Sequence, residues 1–87
     1  MFIEALADSA VKYGMSRNDA IEFAAMTVKG AADMVLTTKE HPAVLKDRVC
    51  SPAGTTIAGV AALEENGFRH PIIAATDKCY EKCTGLK

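Results

Sequence analysis

The sequence carries almost no net charge, with 10 basic and 11 acidic residues giving a formal −1 at pH 7. That balance removes the electrostatic reason to expect nucleic acid or an anionic membrane as a partner. Nor does any uninterrupted apolar run approach the ~18–20 residues that a membrane span requires. The N-terminus, Met1-Phe2-Ile3-Glu4, places an acid where a signal peptide carries bases. A soluble, cytoplasmic protein is expected. A pairable set of cysteines is lacking too. Cys50, Cys79 and Cys83 are an odd number and make no secreted disulfide framework. Cys79 and Cys83 share a helix face at i, i+4, which is half a metal site. His41 and His70 are isolated, each before a proline, so nothing completes it and no metal is expected. No segment alternates apolar and polar residues as a half-buried strand does, and repeats, low-complexity runs and linkers are missing.

What is present is apolar and helical. Hydrophobic residues make up 49% of the 87 positions and charged ones 24%, which suits one globular domain. A domain this small buries only roughly two-thirds of the surface of its unfolded chain, so its stability needs a source. Phe2, Ile3, Leu6, Ala7, Ala10 and Val11 form one stripe at helical spacing, ended by Gly14 in a left-handed C-terminal position. Ser16 is the natural N-cap of a second helix over Arg17–Thr38, with Asp19 in its first turn. Pro42 suits the first turn of a third, with His41 as cap and Ala43, Val44, Leu45 and Val49 on its buried side. A fourth helix is defined by Ile57, Val60, Ala61 and Leu63 and stopped by Asn66-Gly67. The fifth begins near Phe68, tolerates Pro71 in its first turn and continues through Tyr80; the tail from Thr84 to Lys87 is expected to fray. The fold class is therefore all-α, a bundle of about five helices.

The second helix makes a prediction about assembly. Asp19, Glu22, Lys29 and Asp33 project to nearly one side. Most other directions carry Ala20, Ile21, Phe23, Ala24, Ala25, Val28, Ala31, Ala32, Met34 and Val35. A helix apolar on most sides is meant to be surrounded, and few short partners are available within one chain. Its alanines and Gly30 let another helix approach closely. A homodimer is expected, the two copies interlocked.

The most informative stretch runs from Asp47 through Arg48-Val49-Cys50-Ser51-Pro52-Ala53-Gly54 to Thr55-Thr56, a polar turn that opens a helix. The first amides of a helix lack internal partners and sit at the positive end of its dipole, a place that favours a carboxylate or phosphate. Local chemistry leaves two readings: an anion site, or an N-cap and turn with no ligand. Other candidates have plainer explanations. Asp47 and Arg48, adjacent on a helix, do not face each other; they are read as structural or surface residues, with Asp47 capping or bracing the loop. His70 precedes a helix-starting proline far from the loop. Glu4 and Asp8 form the wet edge of an amphipathic helix. Tyr13 and Tyr80 read as partly buried packing residues, and Met15, Met26 and Met34 as core or interface fillers.

Phe2-Ile3-Glu4-Ala5-Leu6-Ala7-Asp8, His41-Pro42-Ala43-Val44-Leu45-Lys46-Asp47-Arg48-Val49, Gly54-Thr55-Thr56-Ile57-Ala58-Gly59 and Leu63-Glu64-Glu65-Asn66-Gly67-Phe68 follow one another along the chain. Together with the Asp-x-Val-x-Ser-Pro-x-Gly-Thr-Thr order, they resemble the C-terminal domain of pyrroline-5-carboxylate reductases over nearly the whole length. The resemblance implies a single dimerisation and imino-acid-binding domain over residues 1–87. Its parent enzyme would use NADPH or NADH to reduce 1-pyrroline-5-carboxylate to L-proline, as a homodimer or larger oligomer. Backbone amides around Gly54, Thr55 and Thr56 would grip the substrate carboxylate, with Ser51 shaping the loop and Pro52 stiffening it. The Thr56 hydroxyl would face the ring nitrogen as the catalytic group. Family members also place Gly or Ala at the positions of Ala53 and Thr55, which implies backbone roles for those two. The family's N-terminal Rossmann domain, with its Gly-x-Gly-x-x-Gly, has no counterpart here, so Met1 is read as an internal methionine of a longer parent or the start of a truncated one. No cofactor is expected on this chain alone, and no turnover by it. The alternative is a non-catalytic helical oligomerisation module without a ligand site. A weaker third reading, a β-hydroxyacid dehydrogenase helical domain, would need a helix-borne lysine, for which only Lys29 qualifies.

Overall fold

The computed structural model describes residues 1–85; of the expected tail, Leu86 and Lys87 lie outside the described residues. The five helices are α1 (Phe2–Lys12), α2 (Arg17–Thr38), α3 (Pro42–Val49), α4 (Thr55–Glu65) and α5 (Arg69–Thr84). No strand occurs among the described residues. The all-α class read from the sequence holds, and α2 has the predicted bounds.

The helix boundaries follow from local chemistry. After α1, the Gly14 N–H donates to the Val11 carbonyl and the Met15 N–H to that of Ala10. This crossed pair of bonds requires a positive φ at the residue between, and Gly14 adopts φ +107°. The same arrangement closes α4, where Gly67 at φ +70° donates to Glu64 and Phe68 donates to Leu63. Ser16 Oγ accepts from the Asp19 N–H at 3.4 Å and starts α2. His41 Nδ1 accepts from the Ala43 N–H at 3.0 Å and starts α3, as expected of a cap. The end of α2 carries no glycine: Lys39 itself turns left-handed at φ 56°, its N–H on the Val35 carbonyl. Helix α5 runs through Thr84, one residue into the segment expected to fray, with Gly85 left-handed as its cap. Replacing Ser16 by Ala is expected to cost about 0.5–1 kcal/mol. A lowered urea midpoint with unchanged slope would show it.

The chain divides into two compact units, Met1–Leu45 and the part from Lys46 onward. In the first, α1 packs along α2. Ala7, Ala20 and Ala24 are the only buried side chains among the described residues, with Leu6, Ala10 and Val11 packed against them. Ala20 and Ala24 are four residues apart, so only one narrow strip of α2 faces α1. Arg17 of α2 pairs with Asp8 of α1 across the hairpin. Both side chains are about half exposed, so the pair orients the helices more than it stabilises them.

Much that the sequence marked as packing is open in the single chain. Ile21, Phe23, Met26, Met34 and Leu36 of α2 are all exposed. The expected buried side of α3 is not buried: Leu45 is half-buried, while Ala43, Val44 and Val49 are exposed. A helix of eight residues presents two turns, too little apolar stripe to enclose itself. Tyr13 and Tyr80 are likewise exposed rather than partly buried, at 85% and 65%. Tyr13 has no helix over it and lies instead beneath the Lys12 ammonium, 5.6 Å from the ring centre. In the second unit Ile57, Leu63, Phe68, Ile72 and Ile73 are exposed as well. Such apolar area on a small chain marks an assembly surface.

Candidate functional site

The loop between α3 and α4 is built almost wholly from backbone. As α3 ends, the Cys50 N–H donates to the Asp47 carbonyl at 3.2 Å. Asp47 thus braces the loop through its main chain; its carboxylate reaches Lys46 at 3.8 Å and is otherwise exposed. Ser51-Pro52-Ala53-Gly54 then forms a tight turn closed by the Gly54 N–H on the Ser51 carbonyl at 3.0 Å. Proline suits the second position because its φ is preset. The third position calls for a positive φ, and Ala53 supplies it at +58°. An alanine there is disfavoured by roughly 1–2 kcal/mol relative to ordinary backbone, so the closed turn holds it.

Gly54 has an ordinary φ of −82° and is extended at ψ 174°. Its glycine identity comes from space, not conformation. A Cβ there would stand 2.5 Å from Ser51 Oγ and 3.2 Å from the Ser51 carbonyl oxygen. The hydroxyl can rotate away, but the carbonyl is the acceptor that closes the turn. Gly54→Ala is expected to loosen it, at about 1 kcal/mol. Faster hydrogen exchange at the residue-54 amide would report that opening directly.

With Gly54 as N-cap, α4 starts two residues before the predicted Ile57. Its first amides belong to Thr55, Thr56 and Ile57, and the N-cap carries no side chain to satisfy them. Gly54's own N–H is spent in the turn, while its carbonyl accepts the Ala58 N–H at 3.3 Å. The amides on offer to an anion are therefore those of Thr55, Thr56 and Ile57. Sequence reading missed Ile57, although counting three residues from the cap would have found it. The cap is Gly54 rather than Ser51 or a threonine, so the helix has an N-cap and a turn but no side chain on its first amides. Thr55, Thr56 and Ser51 are exposed and Gly54 is half-buried, so the helix start is reachable.

The remaining candidates lie elsewhere. Lys29 is exposed in mid-α2, and His70 is exposed in the first turn of α5. Asp8 is taken by Arg17. Among the described residues no group of three or more His, Cys, Asp or Glu could hold a metal ion. No described helix is long and apolar enough to cross a membrane.

Comparison with known proteins bears on this arrangement. The family described as pyrroline-5-carboxylate reductase dimerisation matches residues 1–86. The pyrroline-5-carboxylate reductase of Escherichia coli is 61% identical over 86 residues, covering 99% of this chain and 32% of its own length. The chain thus spans about a third of that relative. Among solved structures, the 1-pyrroline-5-carboxylate reductase of Streptococcus pyogenes superposes with a TM-score of 0.92 at 40% identity, over 98% of this chain and 33% of that one. The pyrroline carboxylate reductase of Plasmodium falciparum, solved with NADP bound, gives 0.88 at 37% identity, over 93% and 31%.

Proposed function

The chain belongs to the pyrroline-5-carboxylate reductase family, as its dimerisation part, and we propose that in the intact protein it holds the imino acid for reduction to L-proline. The observation that carries this reading is the α4 N-terminus, bare of a capping side chain and set by a closed turn. A carboxylate placed there accepts hydrogen bonds from the Thr55, Thr56 and Ile57 amides and meets the positive end of the helix dipole. No cation is needed, and the turn itself contains none. The Thr56 hydroxyl then stands over the imine nitrogen and supplies a hydrogen bond as that nitrogen gains its proton. Ser51 shapes the turn through its carbonyl, and Pro52 and Gly54 keep it closed. Residues 1–87 serve together as one dimerisation and imino-acid-binding domain of a homodimer or larger oligomer.

A reducing nucleotide, NADPH or NADH, does not fit on these residues. The 87 positions contain no Gly-x-Gly-x-x-Gly, and no described strand leads into a helix to cradle a pyrophosphate. The chain by itself is expected to turn over nothing; oxidation of NADPH by it in the presence of pyrroline-5-carboxylate would overturn that. A cytoplasmic setting without nucleic-acid or membrane partners accords with the near-neutral charge.

The second reading, an assembly module with no ligand site, draws on the exposed apolar surface. Amide NMR spectra during titration with L-proline, with D-proline as control, separate the two. Shifts confined to Ser51 through Ile57 and specific to the L form are expected. No response at high concentration would leave the assembly module as the reading for this chain.

A further inference from the structure

The thiols of Cys79 and Cys83 lie outside the site just described, and both are free and exposed. They sit four residues apart in the uninterrupted helix α5, so they share one face, one turn apart. At that spacing the Cβ atoms are about 5–6 Å apart, whereas a disulfide needs about 3.5–4.5 Å. With the helix intact the two sulfurs do not oxidise to each other. They can still converge on a third atom between them, because each side chain can lean inward.

The number of donors decides which atom. Thiolates select soft centres over magnesium or calcium. Structural zinc takes four ligands, and no described third or fourth donor joins the pair. Copper(I) held by two thiolates would carry a net negative charge at the carbonyl end of α5, which opposes it, so the pair favours a centre that takes two protein sulfurs and one substituent of its own and stays neutral. We propose that Cys79 and Cys83 form a dithiol site for trivalent arsenicals carrying a single organic group. Two S–H bonds break and two S–As bonds form, and the oxide oxygen of the arsenical leaves as water with both protons. Arsenic stays trivalent and no electrons are transferred. The product is neutral, which suits the last turns of α5, where the carbonyl end of the dipole opposes added negative charge.

Phenylarsine oxide added to the full chain, with excess glutathione to strip single-thiol adducts, tests the site. One phenylarsenic per chain is expected by mass spectrometry, with two of three titratable thiols lost and both recovered on adding dithiothreitol. Cys79→Ser and Cys83→Ser should each lower affinity by about 100-fold or more, the gain of tethering the second thiol beside the first. Cys50→Ser should change nothing. Circular dichroism and elution volume establish that each variant is folded. Retention by Cys79→Ser equal to wild type, loss of retention in Cys50→Ser, or no uptake by the wild-type chain would each overturn the proposal.

Discussion

Phe23→Asp is expected to separate the assembled chains and, with them, the cooperative fold. Phe23 is 56% exposed in the single chain, on an open apolar groove of about 360 Å³ shared with Leu6, Tyr13 and Met15. The described interior of one chain is three alanines, whose methyl groups bury little area. A partner that covers Phe23 supplies what the single chain lacks. Removing a buried phenylalanine forfeits about 1.5–3 kcal/mol. Leaving an unpaired charge in the same interface costs about 3–5 kcal/mol more. In a two-fold assembly both losses occur twice. Each 1.4 kcal/mol is a factor of ten, so even half this sum raises the dissociation constant by about three orders of magnitude or more. Sedimentation at micromolar concentration should show monomer, and the thermal transition should broaden or vanish. Glu22→Lys, on the polar stripe of the same helix, should leave assembly unchanged. A Phe23→Asp protein that sediments as wild type would mean α2 is covered by something other than a second copy.

Those exposed residues also show where reading the sequence stops. Boundaries set by neighbours along the chain were legible: Ser16 capping α2, His41 capping α3, Gly14 and Gly67 closing α1 and α4. Each depends on a donor and an acceptor a few residues apart. Burial was not legible in the same way. Val44 and Val49 look like core residues by type, yet what covers them lies outside two turns of helix. On α2, apolar on most sides, periodicity cannot say that the Ala20–Ala24 strip faces α1 while Phe23 stays open. Two left-handed positions were hidden because they carry Lys39 and Ala53 rather than glycine. In the loop the residues were legible but their division of labour was not. Gly54 spends its amide on Ser51, which moves the available donors one residue along, to Ile57.

Thr56→Val in the intact protein is expected to lower kcat by about 100-fold while KM changes little. Valine keeps the branched shape of threonine and its stiffness in a helix, so the first turn of α4 should survive. It also keeps the residue-56 N–H, one of the three amides proposed to hold the carboxylate. Only the hydroxyl is removed, and with it the hydrogen bond proposed to reach the imine nitrogen as protonation proceeds. A loss confined to kcat therefore assigns the hydroxyl to the transition state and the amides to binding. Thr55→Ala, at a position given a backbone role, should leave both constants nearly unchanged, and Thr56→Ser should recover most of the rate. An equal fall in kcat and rise in KM would instead place the hydroxyl in ground-state binding. Wild-type kinetics in Thr56→Val would remove Thr56 from the chemistry altogether, leaving α4 as a carboxylate clamp whose proton donor stands elsewhere. The variant should remain assembled in every case, since a methyl group replaces a hydroxyl of nearly the same size and the branched shape is kept.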